Sequence, residues 1–469
     1  MEAAPESLLS GLSDFLAVHL GLHFPRERWS DVQRGIAAAA RDFGFGETDA
    51  CIRWLLATPP TRSEVEILAH HLTVGETYFF RERRSFEVLQ ADILPELLHA
   101  RRGGEQHLRI WSAACCTGEE PYSIAMVLDR LIPDPQTWNV NLLATDINPG
   151  FLRKAAEGVY SEWSLRATPP WIRERYFRRV SNKRFEILPT IRSQVTFSYL
   201  NLAADLYPSL INNTNAMDVI FCRNVLIYFT AAQVKKVIDN LYRSLVDGGW
   251  LIVSPTEASA TLFSCFTAAE FPGVMIYRKL AGASRRIMVP GYPAPAAEAG
   301  LPASSVNTFV SEVTHATLPQ NAQPEATPRL PDPDALGCAA RTCANEGRLS
   351  EAVEWCERAI AANKLNPAHH YLLATIQQER GHSEAVVQSL RRALYLDPNF
   401  VLAYFALANL RLAQGQRPEA ERHFEVARTL LQTQSAEEIL PESEGLTAGR
   451  LGEIITSILS SLAPAVAAG

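Results

Sequence analysis

Long apolar runs are missing from this sequence. No stretch reaches the roughly 18 consecutive apolar residues that a membrane-crossing helix needs, so no membrane insertion is expected. The N-terminus is acidic and lacks a signal-peptide core. Cysteine is sparse and dispersed: the eight residues Cys51, Cys115, Cys116, Cys222, Cys265, Cys338, Cys343 and Cys356 form no CxxC pair and no zinc spacing with His. That pattern offers no metal site and fits a reduced, cytoplasmic protein. Positive charge is in deficit, 44 Lys and Arg against 51 Asp and Glu, for a net charge of −7. A nucleic-acid partner is therefore not expected, and strips of interleaved aromatic and basic residues are also absent.

The chain has 469 residues, 47% of them hydrophobic and 20% charged, which suits about three domains at ~150 residues each. Residues 1–90 carry helical periodicity in several short segments, broken at Gly21–Pro25, Gly44–Gly46 and Pro59–Pro60. A further helix is predicted over Arg84–Ala100. From 91 to 280 strands alternate with helices, which implies an α/β core with a mostly parallel sheet and right-handed crossovers. About 172–197 two strands around Ser181-Asn182 read as a hairpin, a small β-subdomain inserted into that core. The stretch 152–192 holds ten Lys or Arg against four Asp or Glu, so it is about +6 while the rest totals −13. A basic face on an acidic protein fits an acidic partner. Residues 281–333 contain nine prolines and many Ala and read as a linker. From 334 to 433 a 34-residue period appears: Gly347, Gly381 and Gly415 share it, as do Ala340, Ala374 and Ala408. Period 34 with small residues at packing points marks about three tetratricopeptide helix pairs. The tail, 434–469, holds one amphipathic stretch that would cap the array.

The chemistry centres on residues 108–123, LRIWSAACCTGEEPYS. A strand runs into small residues, then Gly118, then a helix whose first turn accommodates Pro121. This is the first βα turn of an open α/β sheet, where nucleotide-like ligands bind. Glu119 and Glu120 stand there without a Lys; they would repel a pyrophosphate but accept an ammonium. The expected ligand is a nucleoside bearing an amino acid. Asp146 ends the second strand, placed to take ribose hydroxyls. In 217–229, MDVIFCRNVLIYF, a strand delivers Arg223 and Asn224 at its C-terminal end, with Tyr228 one turn on. In 73–82, TVGETYFFRE, aromatics flank Arg81 at the seam between helical domain and core.

Together TYFFRE, WSAACCTGEEPYS, ATDIN, the NL of SYLNLA and IFCRNVLIYF resemble the CheR family of chemotaxis receptor methyltransferases. The resemblance spans about 8 to 280. It implies an N-terminal helical domain and a Rossmann-like S-adenosylmethionine methyltransferase core, here followed by all-α tetratricopeptide repeats. It implies O-methylation of glutamate side chains on chemoreceptor cytoplasmic helices, giving glutamyl methyl esters and S-adenosylhomocysteine. Glu120 would hold the cofactor's amino-acid part and Asp146 its ribose. Asn201 and Leu202 would flank the adenine, and Arg223 and Asn224 would line the cofactor site. Thr77 and Arg81 would reach in from the helical side, with Arg81 and Tyr228 near the methyl as the catalytic pair. Three features depart from the family. Gly75 replaces a frequent Asn, Cys115-Cys116 replace smaller residues, and the loop at Ser181–Lys183 lacks the Gly-rich stretch that grips a receptor's C-terminal peptide. The repeats would serve an unknown protein partner. Another reading is a non-catalytic regulator that binds the cofactor and signals through its repeats. Retention of Arg81, Tyr228, Asp146 and Glu120 together argues against it, because a scaffold needs few of them. Methylation of RNA or of a small molecule is disfavoured by the acidic total.

Overall fold

Four helices with one apolar face each open the chain: α1 (Glu6–Leu20), α2 (Trp29–Asp42), α3 (Thr48–Ala57) and α4 (Arg62–Leu72). Their apolar faces meet in one cluster, where Leu12, Leu16, Ile36, Ile52 and Leu68 are fully buried. The start of α4 is set by a capping box, the Thr61 hydroxyl and the Glu64 carboxylate each satisfying the other's backbone N–H. The computed structural model describes residues 5–280 and 333–462 apart from 103–105, 133, 135–136, 211, 346, 437 and 444–445.

The helix expected over Arg84–Ala100 is interrupted. It divides into α5 (Arg83–Val88) and α6 (Leu94–Ala100), with a π turn over Leu89–Ile93 between them. Pro95 supplies the reason: it has no N–H to donate and its ring crowds the preceding turn, and a wider turn absorbs both.

The core then alternates. β1 (His107–Ala113), α7 (Glu119–Leu131), β2 (Asn139–Asp146) and α8 (Pro149–Glu157) come first. A small antiparallel sheet of β3 (Val159–Ser161), β4 (Phe177–Ser181) and β5 (Arg184–Ile187) follows, in the order β3-β5-β4, with α9 (Pro170–Tyr176) between β3 and β4. The hairpin read from the sequence is thus joined by a third strand. After α10 (Pro189–Arg192) the main sheet resumes with β6 (Val195–Tyr199), β7 (Met217–Cys222), α11 (Ala231–Ser244), β8 (Leu245–Ile252), β9 (Thr267–Phe271) and β10 (Val274–Arg278). The seven strands lie in the order β6-β2-β1-β7-β8-β10-β9, parallel except for β10, which is antiparallel to both neighbours. The order reverses between β1 and β7, so the ligand crevice of a doubly wound sheet must lie at their C-terminal ends. β9, which sequence pattern did not reveal, pairs with β10 through a turn at Gly273 (φ 82°).

Three antiparallel helix pairs complete the chain: α12 (Pro333–Asn345) with α13 (Leu349–Ala362), α14 (Pro367–Glu379) with α15 (Ser383–Leu396), and α16 (Val401–Ala413) with α17 (Arg417–Leu431). α18 (Ala448–Leu462) packs on α17. Gly347, Gly381 and Gly415 each make the turn within a pair at φ 73–78°, a conformation that favours glycine. Ala340, Ala374 and Ala408 are buried at the helix contacts. The residue following Ala385 resolves an irregularity in the repeat: Val386 is the buried equivalent of Ala352 and Ala420. The proline-rich stretch 281–332 lies outside the described residues. Among the described residues no helix is long and apolar enough to cross a membrane.

The first two helix pairs dock on the N-terminal ends of the core strands. Asn139 Nδ2 donates to the Glu379 carbonyl (2.9 Å), Asn215 Nδ2 donates to Glu379 Oε1 (3.0 Å), and Arg109 Nη1 lies 3.8 Å from Glu379 Oε2. Both charged partners are buried. This contact is at the opposite end of the sheet from the crevice, so the repeats leave the crevice open.

Candidate active site

All nine residues singled out from the sequence, Thr77, Arg81, Glu120, Asp146, Asn201, Leu202, Arg223, Asn224 and Tyr228, line one cleft at the C-terminal ends of β1, β2 and β7. Its outer wall comes from the helical domain, with Leu22, His23 and Phe24.

The turn after β1 is tightly wound. Ala114 and Cys116 adopt left-handed φ of 61° and 51°, and Gly118 follows at 92°. A Cβ on Gly118 would lie 2.8 Å from that of Ala155, so only glycine fits. Non-glycine residues held in this region store strain, as is usual where backbone wraps a ligand. The two acids at the helix entrance separate. Glu119 turns away, buried and held by the Thr117 hydroxyl at 2.7 Å, while Glu120 faces the cleft. Glu120 accepts from Ser112 Oγ (2.7 Å) and Arg223 Nη1 (2.9 Å). Burial pushes its pKa up and the Arg223 charge pulls it back down.

Arg223 is the hub. Its side chain is 1% exposed and pairs with Glu120 and with Glu82 Oε2, both at 2.9 Å. Its Nε is buried with no hydrogen-bond partner among the described residues. Glu82 also accepts from Asn224 Nδ2 (3.2 Å). Phe80 and Glu82, on either side of Arg81, both have left-handed φ. Arg81 itself donates to the Glu76 carbonyl (2.6 Å) and, among the described residues, has no carboxylate partner.

Asp146 bridges two strand-end turns, accepting the Cys116 and Asn148 backbone N–H groups at 2.8 Å each. Burial raises its pKa to about 6, against these hydrogen bonds. Asn201 lines the cleft, but its amide is committed to the fold: Nδ2 donates to the His19 carbonyl (2.7 Å) and Oδ1 accepts from Ala203 N (2.9 Å). Leu202 is buried beside it. The Tyr228 carbonyl accepts from His23 N (2.7 Å), tying the turn after β7 to the helical domain. Cys115 and Cys116 have thiol pKa values pushed up by burial, as inert packing residues do.

Three residues were missed in the sequence. Glu82 ends the TVGETYFFRE stretch and carries no local signal of its own. Phe151 lines the cleft and stands where a side chain at position 75 would go, since a Cβ on Gly75 would lie 2.8 Å from its ring. Glu257 is buried and accepts the backbone N–H groups of Asn224 (2.7 Å), Val225 (2.8 Å) and Leu226 (2.8 Å) and the Ser254 hydroxyl (2.6 Å). A signal for it was present: Ser254-x-x-Glu257 is the spacing of a capping box.

The donor set fits an S-adenosylmethionine. Arg28, Arg81 and Arg223 line the cleft with Glu76, Glu120 and Asp146, and Glu82 stands behind Arg223, three positive groups against four negative, which leaves room for one net positive charge on a ligand. The orphaned Arg223 Nε would take a carboxylate oxygen. A doubly wound sheet with this strand order and this cleft defines the class of S-adenosylmethionine-dependent methyltransferases. Comparison with known proteins narrows it. Residues 75–271 match the family model "CheR methyltransferase, SAM binding domain". The chain is 35% identical to "Chemotaxis protein methyltransferase 2" of Vibrio cholerae, over 44% of this chain and 70% of that one. It is 37% identical to "Chemotaxis protein methyltransferase 1" of Pseudomonas aeruginosa, over 45% and 77%. A third relative, "Probable biofilm formation methyltransferase WspC" of Pseudomonas aeruginosa, is 30% identical over 76% of this chain and 84% of its own. The chain belongs to the CheR family of S-adenosylmethionine-binding methyltransferases.

Proposed function

We propose that the protein methylates glutamate side chains on the cytoplasmic helices of chemoreceptors, giving methyl esters. The observation that carries this reading is the contrast between the two arginines of the cleft. Arg223 already pairs with two carboxylates, Glu82 and Glu120, and keeps one unpartnered Nε among the described residues, whereas Arg81 has no carboxylate partner among the described residues and lines the same cleft. An arginine held this way is ready to receive an incoming carboxylate.

S-adenosylmethionine supplies an electrophilic methyl on a positively charged sulfur when bound. Glu120 and Arg223 would hold its amino-acid part and Asp146 its ribose hydroxyls. Asn201 and Leu202 would flank its adenine, with Thr77 and Asn224 completing the wall. The substrate glutamate is ionised at neutral pH and is itself the nucleophile, so no residue needs to serve as general base. Arg81 would hold that carboxylate and Tyr228 would shape the approach. Holding two reactants in line can lower the barrier by up to ~7–11 kcal/mol. Leu22 and Phe24 give the outer wall apolar surface, and a water-poor site would favour a step in which opposite charges cancel.

The loop at Ser181–Lys183 between β4 and β5 is a tight turn. We infer that the protein needs no C-terminal receptor peptide as a tether; tight binding of such a peptide to the enzyme would overturn this. The main test is incubation with methyl-labelled S-adenosylmethionine and receptor-enriched membranes. Base-labile label on receptor bands is the expected result; cofactor binding with no transfer to any receptor overturns the reading.

A further inference from the structure

The segment between α17 and α18 folds back on part of the repeat array. Leu440, in the segment between α17 and α18, is buried in one cluster with Phe400 and Leu407, and Glu442 pairs with Arg341 of α12 at 2.6 Å. The face formed by the second helix of each pair is open, and it carries two grooves. The first lies between α13, α14 and α15 and includes His370, Arg391 and Arg392. The second lies between α15, α16 and α17 and includes Arg391, Tyr395, Arg411, Arg422 and His423.

The second groove is the first moved along by one 34-residue repeat. The packing position is unchanged, Leu373 becoming Leu407, while the polar positions turn cationic: Glu357 becomes Arg391, Gln377 becomes Arg411, Gln388 becomes Arg422 and Ser389 becomes His423. Helix packing therefore does not require these charges, since the neighbouring repeat packs without them. Arg411 is spent on an internal ion pair with Glu419 (3.2 Å), but the others are not. Arg417 and Arg428 on the same helix are paired with Glu421 and Glu425, but Arg391, Arg392 and Arg422 have no carboxylate partner among the described residues. The crowding is real enough to hold the His423 imidazole below its ordinary range, through burial first and then the charges of Arg422, Arg411 and Arg391. Tyr395, 86% exposed, stands at the rim as an uncovered aromatic.

We propose that this outer face of the second and third repeats binds an extended acidic peptide segment of a partner protein, with its carboxylates on Arg391, Arg392 and Arg422 and an apolar side chain against Tyr395. Glu357 and Glu419 line the grooves between the arginines. They break the continuous positive field that a phosphate backbone needs, but not the pairing of discrete carboxylates. The proposal goes beyond the methylation reading and its test does not depend on methyl transfer.

The test uses the full chain and a fluorescein-labelled alternating Glu-Ala peptide of about 12 residues, long enough at ~3.3 Å per residue to cross both grooves. Fluorescence anisotropy should show salt-sensitive binding to the protein and none of the matching Lys-Ala peptide. The double variant Arg391→Glu with Arg422→Glu should weaken binding by about tenfold or more, the loss of ~1.4 kcal/mol or more. Arg391→Lys with Arg422→Lys should retain most of it, and cofactor binding should be unchanged in both, reporting an intact fold. Equal binding by the charge-reversed protein, no binding by the unaltered one, or stronger binding of a single-stranded oligonucleotide of equal charge would each overturn the proposal.

Discussion

Arg81 is the residue on which catalysis should hinge. Arg81→Ala should lose at least about 100-fold in turnover, since a misplaced reactant costs that much. Its melting temperature should barely change, because Arg81 is only half-buried and has no carboxylate partner among the described residues. Unchanged turnover would remove Arg81 from the mechanism. Asp146 should give the cofactor site its pH dependence. Its native pKa of about 6 lies above the ordinary value of 3.8, and the cause is burial. The sign follows: the buried carboxyl holds its proton longer than the unfolded chain does, so the ligand-free fold loses stability as pH rises from about 4 to about 6. Ribose hydroxyls are best accepted by the ionised form, so affinity for S-adenosylmethionine should run the other way. Calorimetric titration should find binding about tenfold weaker at pH ~5 than at pH ~7, and Asp146→Asn should flatten the profile. Gly75 is legible at this scale too. Its departure from the family pattern is matched by Phe151, whose ring fills the space that a side chain at 75 would take.

At the level of elements, the turn from Asn224 to Tyr228 is built around one carboxylate. Three consecutive backbone N–H groups point at Glu257, and Asn224 takes a left-handed φ of 56°. Glu257→Ala would leave those donors buried and unmet, at a cost of about 2–4 kcal/mol. Denaturant unfolding should show that loss. Cofactor affinity should fall with it, because the same turn presents Arg223, Asn224 and Tyr228 to the cleft. Glu257→Gln keeps one acceptor oxygen and should lose less. The repeats show what an element-level pattern encodes well. Glycine turns, buried alanines and the 34-residue spacing depend on residues a few positions apart, so sequence alone locates them.

The whole molecule adds a joint between catalytic core and repeats. Glu379 closes the α14–α15 pair against Arg109, Asn139 and Asn215. Burial pushes the Glu379 pKa up, and the Arg109 charge opposes that shift. Arg109 keeps the carbonyls of Asn213 and Asn215 as acceptors without it. Glu379→Ala should therefore unseat the repeats and leave the core folded, at a cost of about 2–3 kcal/mol, below that of stripping a buried charge bare. Scanning calorimetry should resolve two transitions in place of one. Cofactor affinity should be unaltered, since the joint is at the far end of the sheet from the cleft.

The division between sequence and tertiary structure follows the distance over which each contact is encoded. Strand-to-helix turns, caps, the π turn forced by Pro95 and the repeat period arise from neighbours in the chain. So does the rule that puts Glu120, Asp146 and Arg223 at strand ends on one side of the sheet. That rule, with Tyr228 one turn on, reaches the residues at strand ends; Thr77, Arg81, Asn201 and Leu202 join the same cleft in the sequence only through the family resemblance. Other features needed the packed molecule. Glu119 and Glu120 are adjacent and alike, and only the seating of α7 turns one inward and the other to the cleft. Glu82 becomes part of the site through Arg223, 141 residues away, and Asn139 and Asn215 meet Glu379 across 240 and 164 residues. No local periodicity records such pairings. They exist because desolvated charges must find partners once the elements are packed, and the packing alone determines which partners are within reach.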